Sequence, residues 1–301
     1  MGIVKPQLCC DADLDKLRIG KSGIMVFPKI DGVRAINLTG RLTGRSLKEH
    51  ANKFTTRIFS HQEFLGFDGE MAMGSITSDS LCRDTTSALS SINGEPALTW
   101  NIFDYLSPGF IELPYMQRYL AAKYGIMRLD APWLRIIPFE MCHAVTEVEA
   151  VYDRCLSQGY EGVVLRDPDG MHKDGRATVR EGAYLRIKPS SDKEATVVSL
   201  VEALENQNEA KINELGHTER SSHKENKVGK RMVGMLQCED VATGQLIDVG
   251  AGKMDHGERA YYWANPDKII GKIIKYRSMD KGVKDKPRFA RYICMRSLED
   301  M

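Results

Sequence analysis

The chain has 301 residues, enough for two domains that each bury a core. Apolar residues make up 42% and charged residues 28%, which is the composition of a soluble globular protein and excludes a disordered chain or a membrane-embedded bundle. A formal net charge of +1 excludes a uniformly basic or acidic surface, so any polyanion partner must be met by local clusters.

The start, "MGIVKPQLCCDADLDKLRIG", becomes charged too early for a signal peptide, and Pro6 breaks the myristoylation pattern. No apolar run approaches the ~18 residues of a membrane span. Seven cysteines, an odd number without C-x-x-C spacing, argue against a disulfide framework and a zinc site, and fit a reducing intracellular compartment.

The stretch "VFPKIDGVRAINL" reads as two strands, 24–30 and 33–38, with Lys29, Asp31 and Arg34 around Gly32. The plainer reading is a hairpin whose Asp-Gly turn carries incidental surface charges. The chemical reading is a lysine at a strand end beside an arginine. Lysine attacks only as the neutral amine, and lowering its pKa from about 10.4 toward 7 means disfavouring the ammonium by roughly 4–5 kcal/mol. Burial or a second cation can supply that. Arg34 can hold phosphoryl oxygens in a bidentate fork, and Asp31 can bond a ribose or orient the turn. A P-loop is excluded: three residues separate Gly40 from Gly44, and Arg45 stands where lysine is required.

Further along, strands are expected at 98–104, 162–166 and 183–188. "YMQRYLAAKYG" is expected as a helix ending at Gly125. "TEVEAVYDRCLSQGY" is expected as a helix with a capping box from Thr146 to Glu149 and a left-handed close at Gly159. After "KPSSDKEA" the composition changes, which puts a domain boundary near Pro189 to Asp192. "TVVSLVEAL", "MVGMLQCED", "QLIDVG", "IIGKIIKYR" and "RFARYICM" are strand candidates, with a helix in "DHGERAYYWANP" opened by Asp255. Five strands and a helix in ~110 residues suit an OB-type barrel. Residues 205–231 are polar and too long for an ordinary barrel turn; loops of that length are functional or disordered.

Charge is clustered in this second half. From Lys268 to Arg296 there are ten Lys or Arg against two acids, and from 216 to 231 five against two. Such clusters serve either as a phosphate-backbone footprint or as a solvated lysine-rich face.

"KIDGVR" fits K-x-D-G-x-R, motif I of the covalent nucleotidyltransferases: ATP-dependent DNA ligases, some RNA ligases and mRNA-capping enzymes. "FDGEM" (67–71), "NIFDYL" (101–106), "YEGVVLRDPDG" (160–170) and "YLRIKP" (184–189) resemble motifs III, IIIa, IV and V, in order. With "DTTSA", "RATVREG", "SDKEATVVSL", "ERSSHK" and "KDKPRFARYI", the chain resembles the minimal viral ATP-dependent DNA ligases over nearly its whole length.

The resemblance implies an α+β architecture. A nucleotidyltransferase domain of antiparallel sheets with flanking helices (1–189) is followed by an OB-fold barrel (190–301), whose insertion at about 205–231 is a DNA-clamping latch. It implies ATP as substrate, Mg²⁺ (with Mn²⁺ able to substitute), and nicked duplex DNA encircled by a monomer, with no membrane. Lys29 would be the catalytic nucleophile. Lys29, Asp31, Arg34, Arg45, Glu70, Phe103, Glu161, Arg186, Lys188 and Arg296 would bind the nucleotide, Phe103 by stacking on adenine. Glu161 and Glu70 would hold the metal. Arg34, Arg45, Thr85, Thr86 and Arg176 would contact DNA, joined by Lys224, Lys227, Lys230 and Arg231 of the insertion and by Arg288 and Phe289 of the barrel. Arg186 stands where motif V has lysine, and Met301 where motif VI ends in a basic residue, beside Asp300.

The rival readings are an RNA ligase or capping guanylyltransferase with the same lysine chemistry, and a non-catalytic nick-binding protein. An NAD-dependent ligase is disfavoured because only 28 residues precede Lys29.

Overall fold

The structure, a computed structural model, describes residues 4–279, 281 and 285–296. The chain divides into two compact units, Met1–Lys188 and Pro189–Met301.

The first unit is built on two five-stranded sheets. One runs in the order Cys10–Asp11, Tyr184–Ile187, Gly162–Arg166, Ile24–Lys29, Glu140–Cys142. The other runs Leu42–Thr43, Val33–Asn37, Phe67–Met73, Leu98–Tyr105, Leu134–Ile136. Most pairings are antiparallel; the short Cys10–Asp11 and Leu134–Ile136 strands pair in parallel.

Ile24–Lys29 shows how the sequence places the site. Alternate side chains point to opposite faces of a strand. Ile24 and Val26 enter a core with Val148 and Val151 of the Val145–Ser157 helix. Met25 and Phe27 enter a second core with Leu81, Tyr115 and Tyr119. Both faces are buried, so the run is continuously apolar until Lys29, which follows Met25 and Phe27 onto the second face.

No hairpin forms at Asp31–Gly32. Ile24–Lys29 and Val33–Asn37 belong to different sheets, so the turn is a crossover from one sheet to the other. Gly32 is demanded by packing: a Cβ there would lie 2.2 Å from the Met71 carbonyl oxygen of the neighbouring strand.

The expected helices form with shifted ends. Tyr115–Leu129 runs through Gly125, where the missing side chain lets the Phe67 ring pack 3.1 Å from a Cβ position, and it stops at Asp130, φ 46°. Val145–Ser157 starts one residue before Thr146 and makes no capping box. Glu147 instead accepts the His143 N–H at 2.7 Å, while Gly159 takes the left-handed close as expected. Two helices were not anticipated, Lys53–Phe59 and Leu81–Ser90.

The second unit is a closed barrel ordered Ser191–Asn206, Lys227–Asp240, Leu246–Gly250, Arg288–Met295, Ile273–Met279. Numbered along the chain, that is 1-2-3-5-4, closing back on 1. The helix His256–Ala264 lies between strands three and four, opened by a capping box of Asp255 and Glu258. This is the OB arrangement anticipated. Residues 205–231 are not a loop. The first two barrel strands stay paired out to Asn206↔Lys227, and a small hairpin, Ala210–Ile212 with Thr218–Arg220, follows between them. Asn208 holds the turn by donating its side-chain amide to the Ser221 and His223 carbonyls.

All cysteines among the described residues are free thiols, and no described helix is long and apolar enough to cross a membrane.

Candidate active site

A cleft in the first unit, partly open to solvent, takes residues from both sheets. Lys29 reaches it from the end of its strand. Register places Gly162 opposite Lys29, and the Glu161 N–H donates to the Lys29 carbonyl at 3.0 Å. The two side chains are thereby held together: Lys29 Nζ lies 2.5 Å from Glu161 Oε2, and Lys188 Nζ lies 3.7 Å from Oε1.

These contacts reverse one expectation. Burial works against the Lys29 ammonium, but the Glu161 and Glu70 carboxylates outweigh it and hold the pKa above its ordinary value. Lys188 is shifted the other way, depressed first by burial and then by Arg186 and Lys29, with Glu161 opposing. The nucleophile candidate is therefore a clamped ammonium in this state, and must shed its proton before it attacks.

Glu70 comes from Phe67–Met73, directly across from Arg34. Burial pushes its carboxyl up to about 7, with Lys29 and Arg34 opposing and Glu161 reinforcing. Among the described residues no group of three or more metal-ligating side chains occurs. Glu161 and Glu70, the two carboxylates acting on Lys29, are hard oxygen donors. That donor set fits magnesium, which keeps several waters and takes one or two carboxylates.

Arg34 lines the cleft, but its fork is occupied. Nε and Nη2 donate to the two Asp68 oxygens, each at 2.5 Å, and the guanidinium carbon sits 4.6 Å from the centre of the Phe103 ring. The expected bidentate phosphate grip is thus closed on an acid, and one face of the expected adenine-stacking ring is covered. Asp68 is 1% exposed and Arg34 12%. Removing one member leaves a buried charge unpaired, so Asp68→Ala is expected to destabilise the protein by about 3–5 kcal/mol. Arg34→Met with Asp68→Leu should recover much of that loss in denaturant titrations.

Other anticipated residues divide clearly. Asp31 lies in the crossover turn, while Arg45, Arg176 and Arg186 line the cleft. Arg176 also donates to the Cys9 carbonyl at 2.6 Å. Thr86 is exposed, but Thr85 is a correction: it is fully buried, its hydroxyl accepting the Met73 N–H at 3.0 Å, so it cannot meet DNA. In the second unit Arg296 donates from Nε to Glu194 at 2.6 Å. Lys224, Lys230 and Arg231 are exposed and Lys227 is half-buried. Phe289 is 64% exposed and holds φ 54°, a costly backbone for an aromatic residue, with Arg288 against its ring. The terminal Asp300 and Met301 lie outside the described residues.

Sequence reasoning missed the floor of the cleft. Arg166 is 2% exposed, lies 4.1 Å from the Tyr115 ring centre and 3.7 Å from that of Tyr184, and donates to Asp104 at 2.6 Å and Gln7 at 2.8 Å. Asp104 also accepts from buried Arg118. Period-two spacing from Val164 was a usable signal for Arg166, and spacing from Glu70 one for Asp68.

These features define a class, a lysine-bearing nucleotidyltransferase domain joined to an OB domain. The particular likeness is to the minimal ATP-dependent DNA ligases. Two crystal structures of Chlorella virus DNA ligase-adenylate match over 98% and 99% of this chain and 100% of theirs, with 25% and 26% identity and a TM-score of 0.54 each. A Lig E DNA ligase matches 98% of this chain and 100% of its own at 18% identity and TM-score 0.71, which speaks for the fold. The family described as DNA ligase OB-like domain matches residues 226–296. No curated protein matches the chain by sequence.

Proposed function

We propose that this protein is an ATP-dependent DNA ligase that seals 5′-phosphate/3′-hydroxyl nicks in duplex DNA. The carrying observation is Lys29, set by strand register against Glu161 in a cleft lined by cations, within a ligase fold. Deprotonated Lys29 attacks the α-phosphate of ATP: an N–P bond forms, the bond to the β-phosphate oxygen breaks, and pyrophosphate leaves. The AMP passes to the 5′-phosphate at the nick, and the 3′-hydroxyl then displaces it.

Lys188 and Arg186 balance phosphate charge, Asp31 and Glu70 meet the ribose side, and Phe103 stacks on the base. Glu161 and Glu70 hold the divalent metal, Mg²⁺ or Mn²⁺. That ion, when bound, stabilises charge on the phosphoryl group. Arg34, Arg45, Thr86 and Arg176 serve the nick phosphates, Arg34 after release from Asp68. Arg296 assists the first step. Lys224, Lys227, Lys230, Arg231, Arg288 and Phe289 hold the duplex. The protein acts as an intracellular monomer, with functional domains of residues 1–189 and 190–301.

The test is a singly nicked, 5′-phosphorylated duplex incubated with magnesium and either ATP or GTP. Sealing with ATP and not GTP is expected. Failure to seal, together with transfer of GMP to the protein, would instead indicate a capping-type guanylyltransferase.

A further inference from the structure

We propose that Asp11 is a positioning residue for nucleotide capture: it fixes the Arg186 guanidinium against the cleft so that the remaining N–H groups face an incoming phosphate. This rests on the ligase reading above. Strand alternation puts Leu185 and Ile187 in the core and leaves Tyr184 and Arg186 lining the cleft. An arginine there is long and mobile, and a cation that must first be ordered binds a phosphate less effectively than one already aimed.

The Cys10–Asp11 strand provides the aim. It docks in parallel beside Tyr184–Ile187, with Cys10 opposite Leu185 and Asp11 opposite Arg186, and the Ala12 N–H donates to the Arg186 carbonyl at 2.9 Å. Cys10 packs on the core, while Asp11 accepts from Arg186 Nε at 2.6 Å and from Nη2 at 3.3 Å. A guanidinium has five N–H donors. With two spent on Asp11, three are left for the cleft.

Stability does not account for the pair. The Asp11 side chain is 68% exposed and that of Arg186 25%, so even this two-point pair lies at a partly solvated rim and contributes little to folding. Electrostatics alone does not account for it either, because a carboxylate at the rim of a triphosphate site repels the substrate. A role in fixing the arginine accounts for both the exposure and the place. The two explanations predict opposite signs. If Asp11 acted only through its charge, removing it would speed nucleotide capture; if it aims Arg186, removing it slows capture.

The experiment follows transfer of labelled AMP from ATP to the full-length protein, over a range of ATP concentrations. Asp11→Ala is expected to lower the rate at subsaturating ATP on the order of tenfold, as loss of an orienting partner does. Asp11→Asn, which keeps one acceptor, falls between that and the parent. In an Arg186→Ala background, Asp11→Ala adds nothing further. A rate unchanged or raised in Asp11→Ala, or a full additional loss in the double variant, overturns the proposal. Thermal melting checks folding, and if Asp11→Ala melts early, the isosteric Asp11→Asn carries the comparison. A parent protein that takes up no AMP defeats the ligase reading instead, whereas a parent that does so beside an unaffected Asp11→Ala defeats this inference alone.

Discussion

Lys29→Arg is expected to fold normally and to lose AMP capture by at least about 10³-fold. Arginine keeps a cation against Glu161, which is only 5% exposed, so no buried carboxylate is abandoned. What arginine cannot provide is a neutral nucleophile, since its pKa exceeds 12. The variant thus separates the charge of Lys29 from its chemistry. Intact-protein mass spectrometry should find no added AMP, while a nick already carrying adenylate on its 5′-phosphate is still sealed within about tenfold of the parent, because the DNA hydroxyl is the attacking group there. An arginine variant that captured AMP would remove Lys29 from the mechanism.

The same site sets a pH dependence. Glu161 and Glu70 hold the Lys29 pKa above its ordinary value, so the free-amine fraction is small at neutral pH and grows with every step upward. AMP capture by the parent is therefore expected to climb between about pH 6 and 9. A rate flat over that interval would mean that loss of the Lys29 proton does not limit the step.

How far the sequence discloses this arrangement depends on the range of the interactions. Lys29 was visible because a charge ends an apolar strand, and the barrel because each of its strands carries its own local signal. The sheet switch at Gly32 was not visible. Asp-Gly between two strand-like runs is a hairpin signature locally, and the Met71 carbonyl that forces glycine there comes from a strand far along the chain. The local sequence around Arg34 suits a phosphate, because its partner Asp68 is likewise remote in sequence. Thr85 cannot reach DNA because it falls on the buried face of the Leu81–Ser90 helix, where Leu81, Thr85 and Leu89 recur every four residues. The direction of the Lys29 pKa needed the distance to Glu161, which no spacing supplies.

The 205–231 segment shows the converse, a polar stretch whose composition suits a loop and whose backbone forms paired strands. Polar residues usually signal a loop, but here backbone pairing and asparagine amides order them without an apolar core. At the base of this extension Glu202 accepts the Arg231 N–H at 2.8 Å, where the strand carries bulges and Arg231 has φ 51°. Lys224, Lys227, Lys230 and Arg231 contribute nothing to a buried core, so replacing all four with alanine leaves the barrel intact. If each neutralises one DNA phosphate, losing four flattens the dependence of log affinity on log salt by about 3.6, at about 0.9 per contact. With affinity unchanged at about 1 M salt, that slope lowers affinity for nicked duplex near 0.1 M by more than about a thousandfold, while AMP capture by Lys29, which needs no DNA, stays at the parent rate. Binding titrations at four or five salt concentrations measure the slope directly. A quadruple variant with the parent slope would show that these cations are a solvated face, and the duplex-holding role would then pass to Arg288, Phe289 and the basic residues around them.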